Sequence, residues 1–286
     1  MRADRPSLTA AVVSFARGVV STGPGAPCFD PVAIELLPPP FTQLLWLLDR
    51  AGERRRWLEP VVKGVMGGLV EHIELRTALI DAALRAAVGS GVRQLVILGA
   101  GLDGRAWRMA ELADVTVYEV DHPATQAWKM NRVRGRTPMA KEVHFVPVDF
   151  EQTSLDDALA RTGHDPNAPT FWIWEGVTPY LNEAAIDGTL RIVADRSAKK
   201  SGLVLTYVTP DMLDAHRLRR LAGVVFHAIR EPLRGALSRE AMTRKLSSFG
   251  FHVMSDELPA EAARRYGRST RRRWASPSER VIVAEK

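Results

Sequence analysis

Four acidic side chains follow four successive apolar runs. Asp103 lies in the loop after residues 93–98, Asp121 after 115–120, Asp149 after 143–148 and Glu175 after 170–174. If the runs are parallel strands of one open sheet, their C-terminal ends share a crevice, which is where such sheets bind ligands. Acids gathered there suit a cation, for example a sulfonium with an α-ammonium group, and would repel a pyrophosphate. The first loop, Gly99-Ala100-Gly101-Leu102-Asp103-Gly104, satisfies G-x-G-x-x-G. Its glycines allow a tight turn and close backbone approach to a ligand, and a helix over residues 105–112 would add free N–H groups at its start. About 20 residues on, Asp121 at the tip of the second strand is placed to accept bonds from a ribose diol, with Glu119 the second choice. A guanidinium at Arg76, just ahead of the first strand, could bind a carboxylate.

These groups need an α/β frame. Strand-like runs at 93–98, 115–120, 143–148, 170–174, 202–208, 251–255 and 281–284 alternate with helical stretches, the signature of βαβ units in a mainly parallel sheet. The first five are far enough apart for crossover helices, whereas the last two are joined by a polar, Arg-rich stretch and read as a hairpin with an antiparallel final strand. Residues 1–74 differ in texture, with Gly and Pro clusters between short apolar helices. They read as an N-terminal helical cap, and 75–286 as the α/β domain.

Composition narrows the classes. The chain has 286 residues, 46% hydrophobic and 25% charged, with a net charge of +6 and one cysteine, Cys28. Such a chain is neither disordered nor held by internal disulfides, and no apolar run is long enough to span a bilayer. Residues 8–16 resemble a secretory core only weakly, being followed by Arg17 and no clear cleavage site, so a cytoplasmic location is expected. Part of the positive excess lies in Arg264, Arg265, Arg268 and Arg271 to Arg273, near Tyr266 and Trp274. That stretch reads as a solvated loop rather than a nucleic-acid surface.

The segments Arg76-Thr77, Val96-Ile97-Leu98-Gly99-Ala100-Gly101-Leu102-Asp103, Tyr118-Glu119-Val120-Asp121-His122-Pro123, Val148-Asp149-Phe150 and Trp174-Glu175-Gly176-Val177-Thr178-Pro179-Tyr180-Leu181 together resemble the leucine carboxyl methyltransferase family, in its bacterial, actinobacterial-type branch. The likeness is strong over about residues 70–210 and looser at Asp30-Pro31. It implies a Rossmann-like methyltransferase fold, a seven-stranded mainly parallel sheet with an antiparallel last strand, and S-adenosylmethionine as cofactor. By the same resemblance Arg76 takes the cofactor carboxylate, Gly99 lies against the methionine moiety in the loop Gly99, Ala100, Gly101 and Asp103, Asp121 holds the ribose, Asp149 and Phe150 flank the adenine, and Glu175 sits near the amino end. The chain departs from the family pattern at Gly104, usually Thr, and at Pro179, usually Met, and no position matches the family's N-terminal lysine.

The implied reaction is O-methylation of a carboxyl or hydroxyl on a small-molecule acceptor. In-line displacement at a sulfonium requires mainly alignment in a site closed to water, and a carboxylate acceptor needs no base. For a hydroxyl acceptor His122, His216 and His227 are the candidate bases, and none is assigned. The apolar stretch within residues 209–244 could cover the crevice. The G-x-G-x-x-G loop also fits a nicotinamide-dependent oxidoreductase, which the acid cluster disfavours. Oligomeric state is not legible.

Overall fold

The structure is a computed structural model that describes residues 8–21, 30–50, 68–149, 153–211, 235–267 and 279–286. Seven strands form one sheet: β1 (Gln94–Leu98), β2 (Thr116–Asp121), β3 (Glu142–Pro147), β4 (Thr170–Trp174), β5 (Gly202–Val208), β6 (His252–Glu257) and β7 (Glu279–Glu285). Their order is β3-β2-β1-β4-β5-β7-β6. The first five run parallel, and β7 lies antiparallel between β5 and β6. The expected terminal hairpin and antiparallel last strand are present. The antiparallel strand is not at the edge, however, because β6 occupies that position.

Every residue of β1, β4 and β5 is buried, as expected of central strands covered on both faces and written as unbroken apolar runs. Alternate side chains supply two cores. Leu95, Ile97, Val117, Phe171, Ile173, Val204 and Val281 face one way, and Val96, Leu98, Tyr118, Trp172, Leu205 and Ile282 the other.

On the first face lies the long helix α4 (Leu69–Gly89), preceded in the chain by α1 (Leu8–Ser21), α2 (Val32–Leu36) and α3 (Phe41–Arg50). Phe15, Ala16, Val19 and Val20 of α1 pack with Leu37, Leu45, Val70 and Ile73 in a third cluster. The α4 helix is continuous through residues 74 and 75, so the change of texture there is not a break in the chain. Two hydrogen bonds pin the N-terminal segment down: Ser14 Oγ donates to the Ala33 carbonyl at 3.0 Å, and Trp128 Nε1 to the Leu36 carbonyl at 2.9 Å. Trp128 belongs to α6 (Pro123–Val133).

The helix expected over 105–112 is interrupted. It consists of α5 (Arg105–Arg108) and a 3₁₀ turn at Ala110–Leu112, separated by extended Met109. On the other face α7 (Leu155–Arg161), α8 (Glu183–Asp195) and α9 (Arg239–Ser248) begin at Ser154, Asn182 and Ser238. Each of these accepts the N–H three residues on, which satisfies a donor the helix start would otherwise orphan. The stretch between β6 and β7 is partly helical, with α10 (Pro259–Ala262) followed by a 3₁₀ turn at Ala263–Tyr266. Tyr266 packs against the core, which leaves it unsuited as an open stacking platform. Phe150, Cys28, His216, His227, Arg268, Arg271 to Arg273, Trp274 and most of the stretch expected to cover the crevice lie outside the described residues.

Candidate functional site

The C-terminal ends of β1, β2 and β4 bring the glycine loop, Asp121 and Glu175 to the same side of the sheet. The loop turns tightly, with φ of +67° at Gly99 and +50° at Gly101. A Cβ on Gly99 would lie 2.5 Å from Val177 Cγ2, so only glycine fits between the two strand ends. Ala100 is buried and donates its N–H to the Val120 carbonyl at 3.0 Å.

Asp121 closes the loop from β2. Its Oδ2 accepts the Gly101 N–H at 2.5 Å and its Oδ1 the His122 N–H at 2.6 Å. A carboxylate has about four acceptor positions, and with Thr125 as a further side-chain partner these bonds still leave capacity for a ligand hydroxyl. Burial raises the Asp121 pKa against the pull of those two N–H groups. Glu119 has a different fate. It is 1% exposed and paired with Lys129 at 2.6 Å, with Oε1 lacking a hydrogen-bond partner. Burial pushes it up to about 7, with Lys129 pulling the other way. Asp149 is half-buried in the loop after β3.

The acids do not form the open negative field expected of them, because two are neutralised within the protein. Asp103 accepts the Arg105 backbone N–H through Oδ1 at 2.8 Å and pairs with the Arg105 guanidinium through Oδ2. The start of this four-residue helix is therefore taken up by the chain itself, so the expected free N–H groups are not available at Arg105. Glu175 meets Arg17 Nη2 at 2.8 Å, Arg76 Nη2 at 2.8 Å and Arg105 Nη1 at 3.0 Å. Burial alone would raise its pKa, but Arg17, Arg76 and Arg105 hold it well below the usual carboxylate range.

These pairs belong to a buried network that threads the N-terminal segment, α4, the glycine loop and the last strand. Arg105 Nε donates to Asp81 at 2.7 Å, Arg108 pairs with Asp81 at 2.7 Å and with Asp30 at 3.3 Å, and Arg76 Nη1 donates to Glu279 at 2.8 Å. His72 Nε2 meets the same Glu279 oxygen at 2.7 Å. Four arginines thus balance five carboxylates, and no side chain in the set is more than 8% exposed. Burial tends to raise the Asp81 and Glu279 pKa values. Arg108 and Arg105 reverse this at Asp81, Arg76 and His72 at Glu279, and both carboxyls stand at about 2.

Arg17, His72, Asp81 and Glu279 escaped the sequence reading. Helical spacing was the available signal on α4, since His72, Arg76 and Asp81 recur at steps of four and five on a face that apolar residues should fill. Arg17 sits in an apolar helix, and its Nε also donates to Thr77 Oγ1 at 3.3 Å. Glu279 required the topology: because β7 is antiparallel, its first residue pairs with Val208 at the C-terminal end of β5. Gly104 is also explained, for a Cβ there would lie 2.6 Å from Asp30 Oδ1. His122, one candidate base, uses Nδ1 to accept the Ala124 N–H at 3.2 Å as the cap of α6.

A ribonucleoside with an amino-acid tail fits the residues present. Asp121 retains acceptor capacity beside a loop too close-packed for a Cβ at Gly99, and buried guanidinium and carboxylate groups stand one strand away. Among the described residues, no group of three or more His, Cys, Asp or Glu could hold a metal ion. Nor is any helix there long and apolar enough to cross a membrane.

Comparison with known proteins gives the same direction. Residues 10–194 match the family model described as leucine carboxyl methyltransferase. A provisionally named S-adenosyl-L-methionine-dependent methyltransferase of Mycobacterium marinum is 37% identical over 190 residues, 65% of this chain and 59% of the relative. One from Frankia alni is 39% identical over 171 residues, 59% of this chain and 56% of the relative, so the match spans little more than half the length of these proteins. One from Mycobacterium tuberculosis is 33% identical over 227 residues, 74% and 71% of the two chains. Among solved structures, a DUF574 family protein from Streptomyces avermitilis superposes with a TM-score of 0.61 at 16% identity, covering 98% of each chain. A provisionally named methyltransferase from Thermobifida fusca gives 0.54 at 17% identity, over 81% of this chain and 87% of that one. Both share the fold.

Proposed function

The chain belongs to the leucine carboxyl methyltransferase family, and from that premise we propose that it binds S-adenosylmethionine and transfers the methyl group to a carboxyl or hydroxyl oxygen of a small-molecule acceptor. The observation that carries the cofactor reading is Asp121. It is held at the tip of β2 by two backbone N–H groups and stands beside a glycine loop that tolerates no Cβ at Gly99. The bound cofactor supplies a sulfonium-activated methyl group.

The chain's own residues bind and orient. Asp121 accepts from the ribose hydroxyls, and Gly99, Ala100, Gly101 and Asp103 form the loop against the methionine end. Arg76 faces the carboxylate and Glu175 the amino end, while Asp149 lies at the adenine. From the N-terminal segment, α1 covers the site and helps to exclude water. In support, Ala10 Cβ lies 3.4 Å from where a Gly101 Cβ would stand, and Arg17 reaches Glu175 from the same helix. A carboxylate acceptor already carries the attacking lone pair, so the chain has only to align it.

Calorimetric titration with S-adenosylhomocysteine, beside NADH and repeated on Asp121→Ala, tests the reading. The expected result is micromolar binding of S-adenosylhomocysteine that the substitution abolishes. Binding of NADH, or of neither ligand by the unsubstituted protein, overturns it.

A further inference from the structure

We propose that Glu279, itself held by His72, is a positioning residue that sets the Arg76 guanidinium to receive the carboxylate of the cofactor's methionine end. The proposal rests on the cofactor reading above and extends the site to the last strand, beyond the residues 10–194 matched by the family model.

Arg76 is anchored at two places. Its Nε and Nη2 meet one oxygen of Glu175 at 3.0 and 2.8 Å, and its Nη1 donates to Glu279 Oε2 at 2.8 Å. A guanidinium carries five N–H bonds. After these three, one hydrogen remains on each terminal nitrogen, and such a pair grips a carboxylate with two parallel bonds. The space beside that pair is also marked: a Cβ on Gly176, a residue at φ +71°, would lie 3.9 Å from Nη2 and 4.0 Å from Nη1. The missing side chain leaves room almost equidistant from both nitrogens.

Glu279 decides which way that edge faces. With only Glu175 as partner, Arg76 can rotate on its flexible stem and spend both terminal nitrogens on the Glu175 carboxylate. A second anion on Nη1 opposes the rotation. His72 Nε2 donates to the Glu279 oxygen at 2.7 Å and fixes it in turn. The charged groups around this pair are Arg76 on the same helix, Glu279 from β7, Glu175 from the end of β4 and Arg17 from α1, the last through Glu175. The β7 strand delivers Glu279 because its antiparallel direction starts it at the ligand end of the sheet.

The test compares two ligands, S-adenosylhomocysteine, which has the amino-acid tail, and 5′-methylthioadenosine, which lacks it. Glu279→Gln is expected to weaken the first by about tenfold, the range for a bond to a charged group, and the second by less than about twofold. His72→Gln gives the same tail-selective pattern with a smaller loss, and carries the test if Glu279→Gln does not fold. Equal losses on both ligands, an unchanged ratio, or tighter binding of S-adenosylhomocysteine overturns the proposal alone. Failure of the unsubstituted protein to bind either ligand overturns it together with the cofactor reading.

Discussion

Replacing Glu175 by Gln removes one charge and almost no volume, so the loss of stability reports on the buried network rather than on a cavity. The carboxylate is 7% exposed and meets three guanidinium groups at 2.8 to 3.0 Å. Breaking a buried ion pair by neutralising one partner costs about 3–5 kcal/mol, because the other charge stays desolvated. The lower end applies here. Arg76 retains Glu279, Arg105 retains Asp81 and Asp103, and Arg17 retains its bond to Thr77. About 3 kcal/mol corresponds to a fall of roughly 6 °C in the melting temperature at about 2 °C per kcal/mol for a chain of this size. Glu183→Gln is the control: this partner of Lys245 is 71% exposed, and such a surface pair is worth at most about 1 kcal/mol. Urea and thermal unfolding of both variants beside the parent give the comparison. If Glu175→Gln shifts the midpoint no more than Glu183→Gln, the charge of Glu175 is not what holds its buried guanidinium partners.

Gly104→Ala puts a methyl group 2.6 Å from the fully buried Asp30 Oδ1, so it should cost about 1–3 kcal/mol by overpacking, measurable as a lower urea midpoint, even though the glycine's φ of −99° suits any residue. The pH dependence of stability has two limbs of opposite sign. Asp81 and Glu279, at about 2, are below their unfolded values, so the stability they supply is complete above about pH 4.5 and lost as pH falls toward 2. Glu119, at about 7, binds a proton more tightly when folded, so its contribution is lost as pH rises from about 4.5 to 7. In Glu119→Gln the urea midpoint should lose its slope over that upper window, and an unchanged slope counts against the assignment.

The sheet was legible because its central strands are unbroken apolar runs, a pattern that burial on both faces imposes. The runs at 170–174 and 202–208 coincide with β4 and β5 to the residue. Asp121 was legible for a similar reason, since a strand tip and a glycine loop have fixed relative places in a parallel sheet. What composition and spacing could not convey was the pairing of charges. Asp103 and Glu175 read as free acids because the arginines that neutralise them stand in other elements, Arg17 in a helix 158 residues before Glu175. Arg105 was hidden by proximity: it looked like the first residue of a regular helix, but it folds back on Asp103 and Asp81, and α5 ends after one turn. Charges in an interior choose partners by distance in space, and the sequence orders them only along the chain.

The bonds from Glu279 to Arg76 and His72 join residues 203 and 207 positions apart. Closing so large a loop costs entropy that must be met before the contact stabilises anything, which slows folds built on such contacts. One half of the candidate carboxylate grip therefore waits for the C-terminal hairpin to insert beside β5. The dependence also runs in reverse, since a ligand that requires β7 in place lends its binding free energy to the hairpin. Occupancy of the crevice would then be felt at the far edge of the sheet, as slower opening of the β6–β7 ladder.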